Sequence, residues 1–237
     1  MPFRPLRRHG FPCTPRNSAL PPGRMVRFSL FGIPVEVQPW FWLTLALIGG
    51  INDAGTPEGL MRLLLFVLAG FISVMVHELG HALAGKRFGA PTAITLHAFG
   101  GYATFPVGRF TRTQDFLVTA AGPAVQLVLG GIFLAIWKSG TPFAPMGLVF
   151  IKALTVISIF WAILNLIPVI PLDGGRLMAS ILGPRQANLT LKISMVIAIA
   201  SAALFLYFNI GIIFPIFLGF MAYQNWQELQ QRRQGGL

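Results

Sequence analysis

The chain has 237 residues, enough for one or two soluble domains, but 54% are hydrophobic and only 11% charged, where soluble domains carry roughly a quarter charged residues. That balance excludes an ordinary soluble protein and describes a polytopic membrane protein. The net charge of +11 comes from basic residues that flank apolar runs and form no patch interleaved with aromatics, so a membrane accounts for them and no nucleic-acid partner is expected. The single cysteine, Cys13, excludes an intramolecular disulfide and a cysteine-rich zinc site.

Residues 1–24 are rich in Arg and Pro and free of acidic side chains. They lack the apolar core of a signal peptide and read as a disordered tail, and Met25 could equally begin the working protein. The expected organisation is a basic tail over 1–27, a membrane core over 28–226 and a cytosolic tail over 227–237. Crossing about 30 Å of hydrocarbon takes roughly 20 helical residues. Six apolar stretches qualify as candidates: Val37–Ile51, Leu60–Leu83, Phe116–Trp137, Gly147–Ile167, Leu191–Phe208 and Ile210–Tyr223. Only Asn209 separates the last two, which requires a tight hairpin if both cross.

Basic residues set the orientation, because short loops rich in Lys and Arg stay in the cytosol. Arg24 and Arg27, Lys86 and Arg87, Arg109 and Arg112, Arg176 and Arg185, and Arg232 and Arg233 fall in alternate gaps, while Arg62, Lys138 and Lys152 fall on or near the other side. Six crossings with both termini in the cytosol fit this asymmetry.

The second stretch ends in Val76-His77-Glu78-Leu79-Gly80-His81. Ionisable groups inside a membrane helix are costly and by default functional. Residues four apart share a helix face, so His77 and His81 can direct ring nitrogens at one ion, with Glu78 beside the position left for water. This is the H-E-x-x-H arrangement of zinc peptidases. The competing explanation is a pair of polar residues at an interhelical contact. Catalytic zinc takes three protein ligands, so a third is needed. Glu36, Asp53, Glu58, Asp115 and Glu228 are adequately explained as solvated charges. Asp173 is enclosed by apolar and helix-breaking residues in Asn165-Leu166-Ile167-Pro168-Val169-Ile170-Pro171-Leu172-Asp173-Gly174-Gly175, where it could cap a helix over 176–182, bind metal, or do both. His97 is the second candidate ligand.

His-Glu-Leu-Gly-His followed by Asn-x-x-Pro-x-x-Pro-Leu-Asp-Gly-Gly resembles the site-2 protease family of intramembrane zinc metalloproteases, over about residues 28–223. The resemblance implies one zinc ion per chain held by His77, His81 and Asp173, with Glu78 as catalytic base and Asn165 binding substrate or stabilising the oxyanion. It implies an all-α fold of about six transmembrane helices with a small membrane-associated β-hairpin. The alternation in residues 91–105 around Gly100-Gly101 fits that hairpin, which would bind substrate as an extended strand through Gly100, Gly101 and the edge positions Thr92, Thr95, Ala98 or Ala103. The third stretch carries the family's Gly-Pro element as Gly122-Pro123, but Gln126 stands where a small residue or asparagine is usual.

The resemblance further implies cleavage of a transmembrane protein substrate within the lipid bilayer near the cytosolic side, an anti-sigma factor or similar tethered regulator being the bacterial case. The corresponding location is a prokaryotic plasma (inner) membrane. Loops are too short for a PDZ domain and the segment after Tyr223 too short for a CBS pair, so substrate choice is expected to rest on the membrane core or on another protein. A zinc or proton transporter would need polar residues continuing across the bilayer. An inactive chaperone homologue would have no need of Glu78.

Overall fold

The computed structural model describes residues 25–106, 108–209 and 211–234; the expected tail over 1–24 lies outside them. The chain runs β1 (Val26–Leu30), β2 (Ile33–Val37), α1 (Pro39–Ile48), α2 (Pro57–Arg87), β3 (Ala93–His97), β4 (Gly100–Thr104), α3 (Arg112–Lys138), α4 (Pro145–Leu166), α5 (Asp173–Leu182), α6 (Ala187–Tyr207) and α7 (Ile213–Gln234). Local chemistry explains the ends. Pro39, Pro57 and Pro145 open their helices, where a missing N–H costs nothing. Thr56 caps α2 by accepting from the Gly59 amide at 3.0 Å, with Glu58 in the first turn and Lys86 and Arg87 in the last. Thr111 and Gln114 form a reciprocal capping box on α3.

Among the described residues four helices are long and apolar enough to cross a membrane: α2, α3, α4 and α6 with the turn before it, Pro184–Tyr207. The count of six expected from the apolar runs is not reached, for two local reasons. The first run divides, since Val37 closes β2, ten residues form α1, and Ile51–Gly55 make a 3-10 turn. At 1.5 Å per residue α1 reaches roughly 15 Å, about half the hydrocarbon thickness. The last run continues into α7, but beyond Tyr223 that helix carries Gln224, Asn225, Gln227, Glu228, Gln230, Gln231, Arg232 and Arg233. The expected hairpin between the last two helices is present. Asn209 and Gly211 both take left-handed backbone, at φ 53° and 87°, and reverse the chain.

The expected β-hairpin is present as β3–β4, with His97 opposite Gly100 and Ala93 opposite Thr104. It is half of a larger sheet, in the order β1-β2-β3-β4. β1 and β2 form a second hairpin through Phe31-Gly32, both at positive φ as a two-residue turn requires. β2 then pairs in parallel with β3, Val35 beside Ile94 and Val37 beside Leu96, the intervening α1 and α2 supplying the crossover. Ile33, Val35, Val37, Ile94 and Leu96 share one sheet face and are buried together with Phe41, Val74, Met75 and Ala82. The sheet is thus fixed to the stretch of α2 that carries the histidines. Because β3 is paired on both sides, Thr95 is an interior position and not an edge as expected; the free edge near the site belongs to β4.

Candidate metal centre

His77, Glu78 and His81 lie on the buried side of α2, and Asp173 opens α5; all four are between 3% and 6% exposed. Asp173 reaches the histidines because the chain before it folds back tightly. A β-carbon on Gly174 would stand 2.1 Å from the Leu166 carbonyl oxygen, and one on Gly175 would stand 2.4 Å from the Val169 carbonyl carbon, so only glycine permits this packing. The α5 N-cap is Leu172 and no side chain caps the helix. Asp173 is therefore not a cap; its carboxylate turns to the imidazoles.

His77 Nε2 stands 3.0 Å from Asp173 Oδ2, His81 Nε2 3.2 Å from the same oxygen, and the two Nε2 atoms 3.1 Å apart. The other ring nitrogens are engaged: His77 Nδ1 is 2.9 Å from Gln126 Oε1 and His81 Nδ1 2.8 Å from the Val118 carbonyl. Carbonyl oxygens only accept, so in the neutral rings both Nδ1 atoms carry the proton and both Nε2 atoms are bare. Three electron-pair donors then converge on one point, an arrangement that repels itself unless a cation sits among them. A tetrahedral ion with ligand atoms roughly 2.0–2.1 Å away spaces them about 3.3 Å apart, close to what is seen. Two imidazoles and one carboxylate suit zinc, and these three residues are the group that could hold a metal ion. Asp173 is the one carboxylate of the group. Its Oδ1 faces Arg176 at 4.0 Å.

A cavity of about 360 Å³ opens on this group, lined by Glu78, His97, Gly100, Gly101, Asn165 and Arg176 among others. Gly101 lies against the glutamate: a β-carbon there would stand 2.6 Å from Glu78 Cγ. Asn165 donates one of its two Nδ2 hydrogens to the Trp161 carbonyl at 3.0 Å, leaving the second N–H for another acceptor. His97 lines the cavity but is outside the metal-binding group. Its Nδ1 accepts from the Phe99 amide at 3.3 Å, and burial lowers its pKa. Of the other acidic side chains, Glu36 pairs with Arg27, Glu58 with Arg62 and Glu228 with Arg232, Asp115 accepts from Ser180 at 2.8 Å, and Asp53 lies in the exposed turn before α2.

Sequence alone did not expose the part played by α3. The Val118 carbonyl of this helix takes the His81 proton. A β-carbon on Gly122 would stand 2.2 Å from His81 Nε2, so the glycine of the Gly-Pro element makes room for this histidine. Gln126, one turn on, holds the other.

Apolar helices of spanning length enclosing a buried His-His-Asp group define a membrane-type helical protein with a zinc-compatible centre. The chain belongs to peptidase family M50, the site-2 protease family, whose sequence profile matches residues 65–143 and 142–208. It is 36% identical over 223 residues to a Synechocystis sp. protein that carries a provisional zinc metalloprotease name, covering 83% of this chain and 57% of that protein. It is 30% identical over 185 residues to a zinc metalloprotease of Methanocaldococcus jannaschii, covering 77% and 53%. The chain thus spans a little over half the length of these curated relatives. Among solved structures, the site-2 protease from Methanocaldococcus jannaschii superposes with a TM-score of 0.58 at 28% identity, covering 85% of this chain and 94% of that one.

Proposed function

We propose that the chain is a zinc-dependent endopeptidase that cleaves transmembrane segments of other proteins within the bilayer, near the cytosolic side. The observation that carries this proposal is the convergence of three bare ligand atoms beside a buried glutamate, in a cavity bounded by apolar helices. His77, His81 and Asp173 would hold the ion, which when bound supplies a Lewis acid that polarises the scissile carbonyl and acidifies water. Glu78 takes the proton from the attacking water and delivers it to the leaving amine. Asn165 steadies the carbonyl oxygen. The test is hydrolysis of a membrane-embedded substrate by protein reconstituted in vesicles, abolished by a chelator and restored by zinc.

A peptide cannot stay helical at such a centre, and its exposed amides need partners where water is scarce. The free edge of β4 offers them. Counting from the turn-closing pair His97 and Gly100, the amides of Gly101 and Ala103 point away from β3. Ala103→Pro removes one donor and is expected to weaken cleavage with zinc content intact; unchanged cleavage would place the substrate elsewhere. The unwound segment passes an aromatic wall, where Phe99 at the hairpin tip stacks on Phe217 of α7 at 5.6 Å and 15°. The same side chains, with Trp161, Leu164 and Phe220, separate the polar cavity from an apolar groove between α1, α4 and α7.

Both termini are proposed to lie in the cytosol. Reporter fusions after Arg27, within 109–112, after Arg185 and after Arg232 are expected to read cytosolic, and those near Thr56 and Thr141 the opposite. An external signal after Arg232 would remove α7 as a crossing element. A substrate such as a membrane-tethered transcription regulator, and a prokaryotic plasma membrane, follow from family resemblance and belong to the same proposal. Transport is not favoured. The buried polar side chains beyond His77 are Gln126, Ser73 and Ser158, bonded to one another, and the next, Thr155, turns its hydroxyl back to the Ile151 carbonyl at 2.8 Å.

A further inference from the structure

Gln126 is fully buried on α3, in a span otherwise lined with apolar and small residues, and both its amide oxygen and its amide nitrogen are hydrogen-bonded. Oε1 takes the His77 Nδ1 proton at 2.9 Å, while Nε2 donates to Ser73 Oγ at 2.9 Å and to the Ser73 carbonyl at 3.3 Å. Ser158 on α4 donates to the same Ser73 hydroxyl at 3.0 Å. The direction of the network is fixed by its one fixed acceptor. Rotating the amide by half a turn would set its oxygen against the Ser73 carbonyl, two acceptors with no proton between them.

We infer that Gln126 is a positioning residue for the metal centre: anchored by Ser73, it fixes the tautomer and tilt of His77 and so sets the affinity for zinc. This rests on the zinc-site proposal above. A buried imidazole with no Nδ1 partner can carry its proton on either nitrogen and turn about its bond to the chain; with Gln126 in place only the Nε2-bare form, aimed at Asp173 and His81, is satisfied. The length of the side chain matters. Asparagine, one methylene shorter, could not touch both α2 partners from the same α3 backbone position, which explains glutamine at a place where the family resemblance leads one to expect asparagine or a smaller residue. His81 needs no such partner, because its Nδ1 proton goes to a backbone carbonyl.

The test compares Gln126→Met with Gln126→Glu in the full chain, purified in detergent. Met preserves volume and burial but offers His77 no acceptor; Glu keeps the acceptor but loses both donors to Ser73 and introduces a buried charge. A packing role alone ranks Met above Glu in every measurement. The positioning role separates two readouts. Zinc affinity, measured by competition with a chromophoric chelator, is expected to fall about 10–100-fold in Gln126→Met and less in Gln126→Glu, while thermal stability ranks the two the other way. Substituted cobalt is expected to give an altered d–d spectrum in Gln126→Met. Wild-type affinity in Gln126→Met, or weaker zinc binding by Gln126→Glu than by Gln126→Met, overturns the role of Gln126 alone. Wild-type protein that takes up no zinc overturns the metal site and this role together.

Discussion

Glu78→Gln is expected to retain about one zinc ion per chain and to lose nearly all cleavage, a fall on the order of 10²–10⁴-fold or more. Glu78 lines the cavity beside His77, His81 and Asp173 but is not among the convergent ligand atoms. The amide fills the same space, so the centre stays assembled while the group able to accept a proton is gone. Asp173→Ala is expected to behave differently, losing zinc and cleavage together. It removes the one anionic ligand and leaves two bare imidazole nitrogens 3.1 Å apart. His97→Ala, which changes a cavity wall but none of the convergent atoms, is expected to keep its zinc. Metal content by atomic absorption, beside cleavage of a reconstituted substrate, distinguishes the three. Near-normal activity in Glu78→Gln would remove it as the base, and full zinc retention in Asp173→Ala would remove it as a ligand.

The parts of the site legible in the sequence are those whose chemistry is local. His77, Glu78 and His81 occupy one turn or so of a single helix, where spacing alone fixes which side chains share a face. Asp173 stood out because a charged residue lies among Pro, Gly and apolar neighbours. What escaped depends on pairings remote in sequence. Residues 33–37 alternate as a strand does, yet Val37 is continuous with the apolar run that follows, and the strand's parallel partner lies more than fifty residues later. Hydropathy alone assigned Val37 to a crossing that it does not join. Nor can a window ending at Tyr223 register that α7 continues with eight polar or charged side chains among its next ten residues. Gln126 was visible as a departure from an expected small residue or asparagine. Its partners, His77 and Ser73, are 49 and 53 positions away, and nothing in the chain order points to them.

Gly101→Val is expected to abolish cleavage while leaving zinc content and fold in place. The glycine lies on β4 opposite Leu96, and its α-carbon faces the glutamate so closely that a β-carbon would stand 2.6 Å from Glu78 Cγ, 2.7 Å from Leu96 Cδ2 and 2.8 Å from Glu78 Oε1. Valine is a good strand residue, so the strand itself has no reason to fail. The added methyl groups have to be accommodated by movement of Glu78 or of β4. The sheet resists that movement, because β4 is bonded to β3, and β3 to β2, whose inner face is buried on α2. Glu78 is the freer partner and is expected to turn away from the point where water must lose its proton. A misplacement of about 1 Å at a reacting group can cost on the order of 10²-fold, and here the proposed substrate edge is obstructed as well. Gly131→Val, on α3, is the control, since an added β-carbon there meets no atom within 4 Å and its backbone is not left-handed. Cleavage by Gly101→Val comparable to wild type would mean that the hairpin does not lie over the glutamate in the working enzyme, and the β4 docking proposal would fall with it.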